Sequence, residues 1–162
     1  MKTIVLVTGG FDPIHSGHIE YFKYAKSLGD ELWVGLNSDA WLTRKKGRAF
    51  MPFHERMEIV KNLFMVDTVL NFDDNDGSAS GAIFKTKSLV DMDTKIIFAN
   101  GGDRTNQNIP ELVIYGDDPQ VEFKLKRHPC GSKKTLRSYL PHLGRSLIRL
   151  RNFGNSKLSQ FR

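Results

Sequence analysis

An aliphatic run that halts on two glycines and restarts as a helix headed by two histidines constrains this chain more than any other stretch. Thr3–Thr8 is β-branched and aliphatic, which reads as a buried strand. Gly9 and Gly10 end it, and a helix is expected from about Ser16 to Leu28, with Ile19, Phe22 and Ala25 on one face and Gly29 as its stop. The same alternation then repeats. Glu31–Leu36 reads as a strand, and Asp39 to about Thr43 as a short helix capped by Ser38. The basic stretch Arg44–Phe50 reads as a mobile loop, and Pro52 opens a helix running to about Phe64. Asp67–Asn71 is a third strand, followed by an acidic loop with Asp73, Asp74 and Asp76. Ser80 to about Leu89 is a helix, and Lys95–Ala99 a fourth strand that leads into Gly101-Gly102-Asp103-Arg104. Strands and helices alternating at this spacing imply right-handed βαβ units. The fold class expected is α/β, a doubly wound Rossmann-like parallel sheet in a single domain. In such sheets ligands sit beyond the carboxyl ends of the strands, so Gly9–His18, Asn37–Asp39 and Gly101–Arg104 should converge on one rim.

Length allows one domain with one sizeable core, since the chain has 162 residues. Cys130 is a lone cysteine and cannot form an internal disulfide, and no Cys/His metal spacing surrounds it. The apolar run near the start is too short for a signal peptide or a membrane span, so a cytoplasmic protein is expected. The net charge of +6 is unevenly placed. Residues 1–122 carry all 18 acids and 13 of the 24 Lys/Arg, while 123–162 carry the other 11 Lys/Arg and no acid. The basic balance therefore belongs to the last segment and argues little for nucleic-acid binding by the folded part. Two domains of composition follow: 1–122 as the folded domain and 123–162 as an atypical basic tail.

The string GGFDPIHSGH (Gly9–His18) carries the chemistry. Paired glycines let backbone approach a phosphate closely. The helix that follows turns free N–H groups and a positive dipole end toward an anion. His15 and His18, three apart at that helix start, share a face, and Gly17 between them removes a side chain that would crowd phosphates. Two imidazoles donate to phosphate oxygens without the permanent charge of lysine. Plainer readings exist for each part. A glycine pair after a strand is common. The pattern is not GxGxxG, which disfavours a dehydrogenase-type dinucleotide site. A metal site on the two histidines lacks a third ligand at suitable spacing. The conjunction of strand, GGFD, HxGH and helix start is what makes the functional reading the stronger one.

GGFDPIHSGH resembles the signature of the cytidylyltransferase-like superfamily of nucleotidyltransferases. The adenylyltransferase domain of ADP-heptose synthases is the nearest likeness, followed by glycerol-3-phosphate cytidylyltransferases. Further motifs extend the resemblance from about Val5 to Glu111: KSLGDELWVGLNSD (Lys26–Asp39), RKKGR (Arg44–Arg48), ERMEIV (Glu55–Val60) and GGD (Gly101–Asp103). The resemblance implies transfer of AMP or CMP from ATP or CTP to a sugar-phosphate or polyol-phosphate acceptor, with Mg2+ on the triphosphate and pyrophosphate released. It implies catalytic roles for His15, His18 and Lys46, with Lys45 the rival for the last. Gly9, Gly10, Phe11, Asp12 and Gly17 would form the phosphate-binding turn, with Asp12 fixing the loop more than touching ligand. Arg56 would lie near the nucleotide, its plainer reading being a salt bridge on a helix surface. Gly102 and Asp103 would meet the ribose and base, and Arg104 has no assigned role. Homodimers are usual in the family. Pantetheine-phosphate and nicotinamide-mononucleotide adenylyltransferases share HxGH, but the RKKGR and KSLGDELWVGLNSD strings favour the first group. A non-catalytic nucleotide- or nucleic-acid-binding protein is the reading from another class.

The resemblance stops at the tail. Family members carry a late Ser/Thr-rich motif that donates to the β and γ phosphates, and nothing in 123–162 matches it; Thr135 and Ser138 stand isolated. Two explanations stand, a basic tail for an anionic partner and a string shifted out of its ancestral reading frame. The abruptness of the break favours the second. Turnover is therefore expected to be impaired.

Overall fold

A computed structural model describes residues 1–100 and 109–125. Five parallel strands form one sheet in the order β3-β2-β1-β4-β5: β1 Thr3–Gly9, β2 Glu31–Leu36, β3 Thr68–Asn71, β4 Lys95–Asn100 and β5 Val121–Leu125. The helices are α1 Ser16–Lys26, α2 Asp39–Lys46, α3 Phe53–Lys61, α4 Ser80–Ser88 and α5 Glu111–Tyr115. This is the doubly wound α/β sheet, and its order reverses between β1 and β4, the position at whose carboxyl ends sheets of this kind take their ligands.

Alternation along the strands divides the core into two layers. Val5, Val7, Leu32, Val34, Leu36, Ile97 and Ala99 face α1 and α3, burying Phe22, Ala25 and Val60. Ile4, Leu6, Trp33, Ile96 and Phe98 face the other way, against Ala79, Ala82 and Ile83 of α4. Burial on both faces explains why the strands read as nearly unbroken apolar runs.

Several boundaries differ from the sequence reading for local reasons. The helix α2 continues to Lys46, into the stretch expected to be a mobile loop. It ends only where Gly47 takes a φ of 87° and returns its N–H to Thr43 O at 2.9 Å. Arg44, Lys45 and Lys46 are its last turn, where cations suit the negative end of the helix dipole. Helix α1 stops at Lys26, before Gly29, and Gly29 is not left-handed. A Cβ there would lie 2.9 Å from the carbonyl oxygen of Thr3, so this glycine serves close approach to β1 rather than a helix cap. Pro52 sits at the N-cap of α3, which ends at Lys61 rather than Phe64. Helix α5 and strand β5 had no expected counterpart. The composition change at residues 122/123 falls inside β5, which pairs with β4 from Ile96↔Val121 to Asn100↔Leu125.

Phe98 is fully buried and meets the Phe123 ring edge-on, with centroids 5.7 Å apart. Phe98→Ala is expected to lower unfolding free energy by about 3–5 kcal/mol, as emptied aromatic sites do, measurable by urea denaturation. A loss well under 1 kcal/mol would mean that the β4–β5 layer is not packed as described.

Candidate active site

The turn after β1 owes its glycines to packing. A Cβ on Gly9 would come within 2.9 Å of the Phe11 ring, and one on Gly10 within 2.7 Å of the Leu42 side chain. Phe11 itself has a φ of 45°, a left-handed conformation that side-chain-bearing residues adopt at a cost of roughly 1–3 kcal/mol. Its ring repays this by burial. It sits edge-on to Phe22 at 4.8 Å and edge-on to His18 at 5.1 Å, which joins the strained turn to the histidine helix.

His15 is the N-cap of α1. Its Nδ1 accepts from Gly17 N at 3.1 Å, while His18 Nδ1 accepts from His15 N at 3.3 Å. This is a capping box built from two imidazoles in place of the usual Ser/Thr and Glu. The rings stack with centroids 3.7 Å apart and 23° between planes. Because each Nδ1 accepts from a backbone amide, each ring carries its proton on Nε2 as a donor. Burial, reinforced by the neighbouring His15 and Lys46, lowers the His18 pKa to about 3. His18 is therefore a neutral hydrogen-bond donor at neutral pH.

Of the two candidate lysines, geometry separates the roles. Lys46 Nζ donates to Asp12 O at 3.1 Å and lies close enough to lower the His18 pKa. Lys45 Nζ sits over the Trp41 ring, 5.2 Å from its centroid. The buried carboxylate of Asp12 accepts from Phe50 N at 2.7 Å and Met51 N at 2.8 Å, holding the segment before α3 against the glycine turn.

Arg56, expected beside the nucleotide or on a helix surface, is fully buried. Four of its five N–H donors are directed at protein: Nε at Met51 O (3.1 Å), one terminal nitrogen at both Gly10 O (2.8 Å) and Asn37 O (2.9 Å), the other at Asp39 Oδ1 (2.6 Å). It is a positioning residue, and its reach explains how the first two expected rim segments come together. Asp39 also accepts from Phe53 N at 3.0 Å. Burial works against its charge, but the bonds from Arg56 and Phe53 outweigh it and lower its pKa.

The sequence reading did not single out Asp74 among the three acids of its loop. Asp74 is buried and accepts from Asn37 Nδ2 (3.1 Å), Ser38 N (2.7 Å) and Ser38 Oγ (2.8 Å), and its carbonyl takes Arg44 at 2.8 Å. Nothing in the run of acids marks which one turns inward. Gly102, Asp103, Arg104 and the tail from 126 onward lie outside the described residues.

Two measurements check this geometry. Arg56→Leu strands three backbone carbonyls and the Asp39 carboxylate, and is expected to cost about 3–5 kcal/mol in a urea melt; a near-neutral effect would contradict the network. For His18, the native state resists protonation down to about pH 3, while the unfolded chain protonates it near the ordinary value of 6.5. Unfolding then takes up a proton in that window, so stability is full above about pH 6.5 and declines as pH falls below it. His18→Gln should flatten the decline in melting temperature between pH 7 and 5; an unchanged slope would place the titration elsewhere.

The cytidylyltransferase-like family matches residues 6–133. The bifunctional protein HldE of Syntrophotalea carbinolica is 37% identical over 118 residues, covering 72% of this chain and 21% of its own length. An HldE from Escherichia coli is 34% identical over 115 residues, covering 63% and 24%. The chain thus spans about a quarter or less of the length of these relatives. Among solved structures, the lipopolysaccharide core biosynthesis protein of Thermoplasma volcanium superposes with a TM-score of 0.59 at 26% identity, over 78% of this chain and 98% of that one. An NadR protein complexed with NAD and AMP-PNP shares the fold at TM-score 0.53 and 19% identity, over 94% and 43%. With the histidine helix, the glycine turn and the 3-2-1-4-5 sheet order all present, and with the family match covering most of its length, the chain belongs to the cytidylyltransferase-like family.

Proposed function

We propose that this chain is a nucleotidyltransferase that moves AMP or CMP from ATP or CTP onto a sugar-phosphate or polyol-phosphate acceptor. The observation that carries the reading is the reciprocal histidine cap, which locks two Nε2–H donors at the head of α1, at the carboxyl rim of the sheet. An acceptor phosphate oxygen attacks the α-phosphorus and forms a new P–O bond. The bond from that phosphorus to the bridging oxygen breaks in line, and pyrophosphate leaves with the electron pair. No covalent nucleophile on the protein is needed. His15, His18 and Lys46 stabilise the charge that gathers on the phosphate oxygens, in a site whose donors are already oriented. The match to HldE proteins supports a sugar-phosphate acceptor.

We propose that Mg2+ enters with the triphosphate. Among the described residues no group of three His, Cys, Asp or Glu could hold a metal. The two carboxylates nearest the turn, Asp12 and Asp39, are committed to amides and to Arg56. The described residues therefore do not fit a protein-held ion, and ligand oxygens and water would complete its shell. No helix among the described residues is long and apolar enough to cross a membrane. A cytoplasmic location and a homodimer are part of the proposal.

Pyrophosphate release with ATP or CTP, each paired with glycerol 3-phosphate or a heptose 1-phosphate, tests the reading. Acceptor-dependent release is expected, slowed by the unmatched tail. His15→Ala and His18→Ala should each lower kcat by about 100- to 1000-fold, the usual loss on removing a transition-state donor. Tight nucleotide binding without release under any pairing would instead support the non-catalytic nucleotide-binding reading.

A further inference from the structure

The end of the sheet opposite the histidines carries a surface that nucleotidyl transfer does not use. All five strands are parallel, so the turns that enter β4 and β5 lie at the amino ends, away from the rim where α1 begins. There a depression of about 490 Å³ opens between the end of α4, the turn before β4, and α5 with the turn that follows it. Three large apolar side chains stand in its walls exposed to solvent: Met92 at 86%, Val113 at 89% and Ile114 at 62%. Phe84 is also exposed and lies one turn before Lys87, another wall residue, on the same face of α4. Single apolar residues on a surface need no explanation, but several gathered around one depression mark a place where another molecule sits.

The charges around this strip are of one sign. Asp118 is committed within the fold, since Lys87 Nζ binds its Oδ2 and Gln120 N donates to its Oδ1 at 3.0 Å. Asp117 beside it is exposed, as are Asp91 and Asp93 on either side of Met92. Among the described residues no cation lies within ion-pair distance of any of these three. The turn that bears Met92 is fixed from below, where the buried Gln120 donates from Nε2 to Asp91 O at 3.0 Å. The result is an apolar strip between two helices, edged with unanswered carboxylates.

That chemistry narrows what fits. A small ligand calls for a site that encloses most of its surface, and walls this exposed enclose little. Anionic lipid and nucleic acid are repelled by the same acids. A two-fold pairing of the face with its own copy would set the carboxylates against themselves. We propose that this depression receives an amphipathic helix of a partner protein. Its apolar stripe lies on Met92, Val113 and Ile114, and its flanking Lys or Arg residues meet Asp91, Asp93 and Asp117. Burial of the three apolar side chains supplies affinity, and the charges fix which way the helix lies. The surface is at the other end of the sheet from His15 and His18, so the inference goes beyond the transfer reading and stands without it.

The test uses the full chain and labelled synthetic peptides of about 18 residues, long enough to hold a helix in water. The first has leucines at i, i+3, i+4 and i+7 with Lys and Arg flanking them. A second replaces its Lys and Arg with glutamine. A third keeps the composition of the first and scatters the leucines around the helix. In fluorescence anisotropy the first is expected to bind at least about tenfold more tightly than either counterpart. Asp117→Lys, and Val113→Ser combined with Ile114→Ser, should each raise its Kd about tenfold, the equivalent of roughly 1.4 kcal/mol. These side chains are exposed, so the variants should keep the wild-type melting temperature. His18→Ala should bind the peptide as the wild type does. A first peptide that binds no better than its counterparts, or whose affinity the Asp117 and Val113/Ile114 variants leave unchanged, overturns the proposal. So does sedimentation of the unliganded protein as a dimer that the Val113/Ile114 variant dissociates, because a second copy would then be the occupant.

Discussion

The buried guanidinium of Arg56 holds the rim of this protein together. Burying a charge is costly unless hydrogen bonds replace the water it loses. Here the replacements are three carbonyl oxygens from the ends of β1, β2 and the segment before α3, plus one carboxylate at the head of α2. A planar fork with several fixed donors suits this purpose in a way that a lysine ammonium would not. Its bonds converge on chain segments that are distant in sequence and make them one surface. The backbone of Met51 is gripped from both sides, its oxygen by Arg56 and its nitrogen by Asp12.

That shared grip passes order on to the glycine turn, the histidine pair and Lys46. The same Gly10 whose oxygen binds Arg56 precedes Phe11, and the left-handed Phe11 turns its ring into the core beside His18. Asp12 presents its carbonyl to Lys46 while its carboxylate holds the chain at Phe50. Lysine, histidine pair and glycine turn are thus set by a common framework. Under the proposed transfer, such preorganised donors stabilise charge without reorganising as the reaction proceeds.

The histidines show a further economy. Each spends Nδ1 on the backbone at the start of α1, which satisfies amides that a helix otherwise leaves unpaired. The same bonds choose the tautomer. Nε2 carries the proton, and burial keeps His18 from taking a second one at neutral pH. Capping takes Nδ1 of each ring and the proposed phosphate contact calls on Nε2, so the two readings of HxGH do not exclude each other.

Much of this was legible in the chain. Apolar runs with strand character, separated by helix-length segments, determined a parallel doubly wound sheet, because both faces of such strands must be covered by crossover helices. The spacing of His15 and His18 at a helix start put them on one face, because the helix repeat allows nothing else. Other features depended on contacts between distant segments and had no local signature. Nothing near Arg56 shows that it is buried rather than solvated, since its partners lie up to 46 residues away. The three acids after β3 look alike until the fold turns Asp74 toward Asn37 and Ser38. Lys45 and Lys46 are adjacent in sequence, and only the extension of α2 sends one to Trp41 and the other to Asp12. Sequence alone determined the first four strands and the helices between them, and which turn carries the paired histidines, because periodicity and capping act over a few residues. Which charges point inward, and which nitrogen of each histidine stays a donor, was decided by tertiary structure, because desolvation and long-range hydrogen bonds exist only once the segments meet.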